Sequence, residues 1–236
     1  MVLLDEFDGS RYGLLEQEDV AEMARVIGHV FSRSDPLGVA VGMAAEDIEA
    51  FVLVFGTKAV AEGLTVIARG RSGALVGAMF SDDFGTPPPD LDDLPVSFAP
   101  VGALLERLDE DYRRTRSIVE GSHAHFNMLA VVPALSGRGI AQRLVKLGME
   151  NAARRGYRSA LTEANGPLSQ HIFRKLGFQE RHVVSYKDFR FDDRPVFAAI
   201  ESTRGIMLME ADIATEPGGC GIATPSTSRN TGVRTG

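Results

Sequence analysis

The stretch Ala130-Val-Val-Pro-Ala-Leu-Ser-Gly-Arg-Gly-Ile-Ala-Gln142 carries the plainest chemical signal in the chain. It reads as an apolar strand, a proline, a tight glycine loop and the start of an amphipathic helix. Gly137 and Gly139 let successive backbone N–H groups converge without interference from Cβ, at the positive end of a helix dipole. That arrangement suits a pyrophosphate. A P-loop would need Gly-Lys-Ser/Thr, which is absent. A dinucleotide fingerprint would need a third small residue where Gln142 stands. Glu163 sits where an acid for the ribose belongs, but the loop lies mid-chain with no second mononucleotide half.

Further along come Asn165 and Phe173-Arg-Lys-Leu-Gly-Phe178. Together with Ser136-Gly-Arg-Gly139-Ile-Ala141 these residues resemble the GNAT N-acetyltransferase superfamily. That family's loop reads Gln/Arg-x-x-Gly-x-Gly/Ala, and its closing signature is aromatic-x-Lys-x-Gly-Phe. The first loop position departs, because Ser136 stands there. The resemblance covers His125 to Phe178 by motif and Tyr12 to Phe80 by element order. It implies a mixed, mostly antiparallel central sheet whose fourth and fifth strands splay apart, with helices on both faces. It also implies acetyl-CoA as co-substrate. Leu129, Ala130 and Val131 would then hold the pantetheine and thioester by backbone groups, as an added strand does. Gly137, Arg138, Gly139, Ile140, Ala141 and Gln142 would hold the pyrophosphate, with Arg138 a substitute for the missing charge at Ser136. Asn165 would bond the pantetheine from the other side.

The chemistry implied is acyl transfer from a thioester to an amine. An ammonium has no lone pair, and an amine of pKa ~10.4 is neutral in about one molecule in 2,500 at pH 7. That deficit is worth roughly 4.6 kcal/mol, so a base has work to do. The family's acid is often a tyrosine in the closing signature; here Phe173 cannot donate a proton. Phe31-Ser-Arg-Ser-Asp-Pro-Leu37 is similar to the acid-Pro-Leu segment of insect-type arylalkylamine N-acetyltransferases, where the acid is a glutamate base. Asp35 is the match, one methylene shorter. Those enzymes also carry a serine where Ser169 stands, which makes Ser169 a candidate donor to the thiolate. His123-Ala-His125-Phe-Asn127 resembles the His-x-His of vertebrate serotonin N-acetyltransferases, with only His125 aligned. Strand alternation would set His123, His125, Asn127 and Leu129 on one face, where a histidine could relay protons. Plainer roles stand beside each: an Asx turn for Asp35, a polar strand entry for His125 and a helix cap for Ser169. Spacing around the histidines supports no metal site.

The elements that must position these groups follow from periodicity. Tyr12–Leu15 is a brief strand after a short leader. Asp19–Phe31 is a helix stopped by Pro36, which biases Asp35 away from helical backbone. A second helix spans Ala45–Glu62. Leu64–Ala68 and Ala74–Phe80 form a hairpin. Residues 81–100 form an acidic, proline-rich loop insertion by composition, and Val101 to about Val119 is helical. His125–Val132 is a strand, Gly139–Arg154 a helix, Arg158–Glu163 a strand and Pro167–Leu176 a short helix. Strands near Arg181–Lys187 and Ile206–Ile213 complete an α/β layer structure. Residues 1–213 thus make a single domain, and 214–236 a Gly/Thr/Ser/Pro-rich tail expected to be disordered.

Composition narrows the partners. The chain has 236 residues, with 25 Lys/Arg against 32 Asp/Glu for a net charge of −7, which argues against nucleic acid and suits cationic ligands. One cysteine, Cys220, excludes an internal disulfide. No signal peptide or membrane-length apolar run occurs, so a cytoplasmic protein without membrane contact is expected. Monomer and homodimer both stay open. The reading is an acetyl-CoA-dependent N-acetyltransferase acting on a small primary amine, with an arylalkylamine as leading substrate. The alternatives are a protein N-terminal or lysine acetyltransferase and a catalytically weak CoA-binding module.

Overall fold

The computed structural model describes residues 2–92 and 94–213. The expected disordered tail, 214–236, and Cys220 with it, lie outside the described residues. Eight strands form one sheet: β1 (Leu3–Phe7), β2 (Ser10–Leu14), β3 (Val66–Arg69), β4 (Leu75–Asp83), β5 (His123–Val131), β6 (Ser159–Ala164), β7 (Gln179–Ser185) and β8 (Gly205–Asp212). Their order is β1-β2-β3-β4-β5-β6-β8-β7, and every neighbouring pair is antiparallel except β5–β6. That parallel pair is short. It runs from His123↔Ser159 to His125↔Leu161, after which the two strands share no ladder. The expected splay of the fourth and fifth strands therefore falls on β5 and β6, because the leader is a strand of its own. Its acid-rich Leu3-Leu-Asp-Glu-Phe7, with no alternation to mark it, is an edge strand that pairs with β2.

Six helices cover the two faces: α1 (Val20–Ser34), α2 (Pro36–Val41), α3 (Ala45–Glu62), α4 (Ala99–Arg113), α5 (Ile140–Arg154) and α6 (Pro167–Lys175). On one face α1, α3 and α4 bury Met23, Ile27, Val52 and Leu104 against Ala78, Phe80, Ala130 and Leu161. On the other, α5 and α6 bury Leu144, Val145 and Phe173 against Val66, Met79, Phe126 and Ala160. Both ends of α3 fall where the periodicity places them. α1 stops where Asp35 turns extended before Pro36, and α2 then starts on Pro36 with the Asp35 carboxylate accepting the Gly38 N–H at 2.6 Å.

Two departures reshape the site. β4 runs on through Ser81, Asp82 and Asp83, all buried, so the acidic loop begins only at Phe84. Asp82 and Asp83 were read as loop from composition, but the strand carries them into the interior. In β5 the ladder with β4 slips: Ser81 faces Phe126 and Phe80 faces Met128, leaving Asn127 as the extra residue of a β-bulge. The bulge reverses the alternation. His125 and Asn127 face the α3–α4 side, but Leu129 turns to the α5 side while Met128 and Ala130 face α1 and α3. The expectation that Leu129 shares a face with His123 and His125 is corrected accordingly.

Candidate active site

On the α1–α3–α4 side a cavity of about 690 Å³ opens against the part of the sheet where β5 and β6 diverge. Its walls are apolar and aromatic. Phe31 of α1, Phe51 and Phe55 of α3, Phe84 of the loop and Phe98 before α4 line it. Phe51 stacks on Phe98 at 5.2 Å and tilts against Phe55 at 4.6 Å, so the wall is preorganised. Its floor is strongly acidic, with Asp35, Asp82, Asp109 and Glu163 among the lining residues.

Asp35 stands at the α1–α2 corner. One carboxylate oxygen caps α2; the other accepts a hydrogen bond from the Asn165 amide. The residue is half-buried at the cavity wall, and desolvation raises its pKa to about 6 against the opposing effect of the Gly38 and Asn165 donors. Both sequence readings of this residue therefore coexist: it is a turn residue and a cavity carboxylate. Asn165, expected to hold pantetheine, spends its side-chain amide on Asp35, and its backbone carbonyl accepts the Tyr186 hydroxyl at 2.7 Å.

A second constellation crosses the floor as a chain of alternating charge. Lys58 Nζ lies 2.5 Å from Asp82 Oδ2. Asp82 Oδ1 accepts from Asn127 at 2.6 Å and from His125 Nδ1 at 3.1 Å. His125 Nε2 donates to Glu163 Oε2 at 2.7 Å. Glu163 in turn faces Asp109 of α4. With a carboxylate at each ring nitrogen, His125 carries both protons. Burial opposes that charge, but Glu163 and Asp82 outweigh it and hold the pKa well above the usual histidine value. The same pairing holds Asp82 below the usual carboxylate range, His125 and Lys58 together overcoming its burial. As placed, His125 has no lone pair with which to take a proton from an amine. Neighbouring His123 bonds Ser122 at 2.6 Å and faces Glu210 at 3.9 Å, away from the cavity residues. Among the described residues no group of three or more His, Cys, Asp or Glu is arranged to hold a metal.

The remaining predicted groups divide. Gly137 and Gly139 have φ of 79° and 80°, and Gly139 is the N-cap of α5. A Cβ on Gly137 would meet nothing within 4 Å, and one on Gly139 would only graze Phe7 at 4.0 Å. The space over the loop is thus open, and glycine is required there by backbone conformation rather than crowding. Ile140, Ala141 and Gln142 make the first turn of α5. Arg138 is over half exposed and 3.9 Å from Asp8, while Arg143 holds Asp5 at 2.6 Å, tying the β1–β2 hairpin beside the loop. Leu129, Ala130 and Val131 lie on β5 beyond its last pair with β6, where that edge has no ladder partner. A strand-like chain could add there. Ser169 Oγ donates to the Gly166 carbonyl at 3.0 Å and accepts the Gly166 N–H at 3.2 Å, closing the start of α6. Phe173 is core, packed on Phe178 at 4.9 Å.

Sequence reasoning missed the roles of Asp82, Asp109 and the aromatic wall, and gave Glu163 a different one. For Asp82 a signal existed: two acids directly after an apolar run can continue a strand as readily as they begin a loop. Asp109 looks like any surface acid of α4 in sequence.

Residues 62–178 match the profile of the acetyltransferase (GNAT) family. Among solved structures, the C-terminal condensation domain of Ebony, in complex with beta-alanyl-dopamine, superposes with a TM-score of 0.79 at 14% identity, covering 86% of this chain and 99% of that one. Arylalkylamine N-acetyltransferase 2 from Aedes aegypti gives 0.74 at 18% identity, covering 88% and 100%. A Drosophila melanogaster polyamine N-acetyltransferase that forms N-acetylagmatine gives 0.68 at 16% identity, covering 86% and 99%. At these identities the likeness is one of fold.

Proposed function

The chain belongs to the GNAT acetyltransferase superfamily, and from that premise we propose that it moves an acetyl group from acetyl-CoA to the primary amine of a small molecule, with an arylalkylamine as the leading substrate. The observation that carries this reading is the cavity itself: an aromatic chamber with a half-buried carboxyl, Asp35, opening at the gap between β5 and β6. A flat aromatic body fits the Phe51–Phe98 wall, and an ammonium fits the acidic floor. On the donor side, the open glycine loop at the head of α5 fits a pyrophosphate, and the unpaired edge of β5 fits an extended pantetheine.

In the proposed reaction the substrate ammonium gives a proton to Asp35. A carboxyl of pKa about 6 is ionised roughly ten to one at pH 7 and still keeps useful basicity. The amine nitrogen then attacks the thioester carbonyl and a C–N bond forms; the C–S bond breaks, and the second proton of the nitrogen passes to the departing thiolate, giving the amide and free thiol. Backbone N–H groups along β5 would meet the charge developing on the carbonyl oxygen. A thiol of pKa about 8.5 is a tolerable anion near neutral pH, so Phe173 in place of a tyrosine need not block departure. The imidazolium of His125 is locked between carboxylates and sets the field of the floor instead of accepting the proton.

The test is thiol release from acetyl-CoA against a panel of arylalkylamines, alkylamines and peptides. Turnover with an arylalkylamine and none with peptides is expected. Turnover confined to peptides would move the activity to protein substrates, and acetyl-CoA binding without turnover would leave a CoA-binding module.

A further inference from the structure

The alternating chain on the cavity floor does not close. Lys58 balances Asp82, and His125 balances Glu163, which leaves Asp109 as the surplus acid. Among the described residues no donor reaches Glu163 Oε1 or Asp109 Oδ1, although both atoms are shut off from bulk solvent. The Glu163 side chain is 7% exposed, and its other oxygen is taken by His125. One cation of α4, Arg113, stands a single turn from Asp109, but its Nη2 bonds the Phe84 carbonyl at 2.9 Å and its guanidinium lies 3.9 Å over the Phe84 ring. Two carboxyls thus face each other in a cavity they both line, with the charge of His125 spent on one oxygen of Glu163 and none matched to Asp109.

Resting on the transferase reading, we propose that the Asp109–Glu163 pair is a second cation site within the cavity, taking the distal ammonium or guanidinium of a substrate that carries two cationic groups. The spacing supports this. Glu163 and Asn165 are alternate residues of one strand line, roughly 6.6 Å apart, and Asn165 holds Asp35. An amine reacting at Asp35 would therefore reach the pair with its other end through a short alkyl chain. Met128 and Ile206 line the cavity and offer that chain an apolar wall.

A proton occupies the site when the cation is absent. Burial first, then the facing Glu163, raise Asp109 to about 8, against the opposing charges of His125 and Arg113. Asp82, bonded to His125, and Lys58, paired with Asp82, are the next charges along the floor. Entry of the cation expels that proton to bulk water, so binding of a dication strengthens as pH rises toward 8.

The experiment compares 1,4-diaminobutane with n-pentylamine, a monocation of nearly the same shape, on the wild-type chain and on Asp109→Asn. The readouts are kcat/KM from thiol release, and calorimetric titration of each amine in two buffers of different ionisation heat. The wild type is expected to favour the diamine by tenfold or more, mainly through KM, and to release about one proton on binding it. Asp109→Asn is expected to cut that selectivity ratio at least tenfold and to abolish the proton release. Equal losses for both amines, or no diamine preference in the wild type, would overturn the proposal. Should no amine be acetylated, the transferase reading fails. Calorimetry still decides the subsite then: diamine binding lost in Asp109→Asn supports it, and binding that is absent or equal in both proteins overturns it.

Discussion

On the α5 face of the sheet, the groups offered to a ligand are backbone N–H groups held by one short loop. On the opposite face they are side chains gathered from five separate elements: Asp35 at the α1–α2 corner, Asp82 of β4, Asp109 of α4, His125 of β5 and Glu163 of β6. The first kind of site depends on φ angles and tolerates changes in the surrounding side chains. The second depends on side-chain identity and on charges that hold one another in place. Side-chain changes can therefore retune the cavity residue by residue while leaving the glycine loop as it is.

Substitutions can break that contrast at either end. The largest effect is expected at Asp35. Asp35→Asn keeps a capping side chain for α2 but removes the proposed base, and should lower turnover about 10²–10⁴-fold near pH 7. The deficit should shrink toward pH 10, where free amine is abundant; a pH–rate profile of unchanged shape would remove Asp35 from the chemistry. Next in size, Lys58→Met leaves Asp82 and His125 short of a charge in a buried chain. A loss of stability of about 3–5 kcal/mol is expected, read from urea midpoints, and little loss would mean that solvent already screens the network.

Gly139→Val probes the backbone-built side. A β-branched residue at φ 80° carries a strain on the order of 1–2 kcal/mol, so the loop should shift and raise the acetyl-CoA KM about tenfold. The amine KM should stay near its wild-type value, and an equal rise in both would show that the two sites are not separately built. The smallest effect concerns pH. His125, raised above its unfolded value, contributes stability below about pH 6.5 that is lost as pH rises through its folded pKa. Asp109, raised from the ordinary carboxylate value to about 8, withdraws stability across that interval, as pH rises from about 4 to 8. Both act in one direction, so stability should fall as pH rises. Asp109→Asn should flatten that fall between about pH 4 and pH 8 in urea titrations.

The contrast also explains what could be read from the sequence. The donor loop is contiguous, so Gly137, Gly139 and the start of α5 are visible as a string of letters. The span Ala45–Glu62 was equally legible, because a long periodic run states its own bounds. Asp35 was found because Pro36 and Leu37 lie next to it. The acceptor side was not legible, because Asp82, Asp109 and Glu163 meet only through tertiary packing. α2 escaped notice because its six residues depend on the cap at Asp35 and lack a pattern of their own. β1 escaped because an edge strand can expose acids on both sides. The bulge at Asn127 leaves no mark in composition, since it is a property of register between two strands.

That bulge has a consequence for how β5 can change. A strand obeys an odd–even rule, and the extra residue resets the count partway along. Before Asn127 the odd positions face the layer of α1, α3 and α4; after it they face the layer of α5. Removing Asn127 alone would heal the ladder, with Met128 following Phe126 and every later residue still on its present face. A deletion elsewhere in the strand, with the bulge kept, would instead exchange inside for outside along part of it. The bulge is therefore the place in β5 where length can change without turning the strand over.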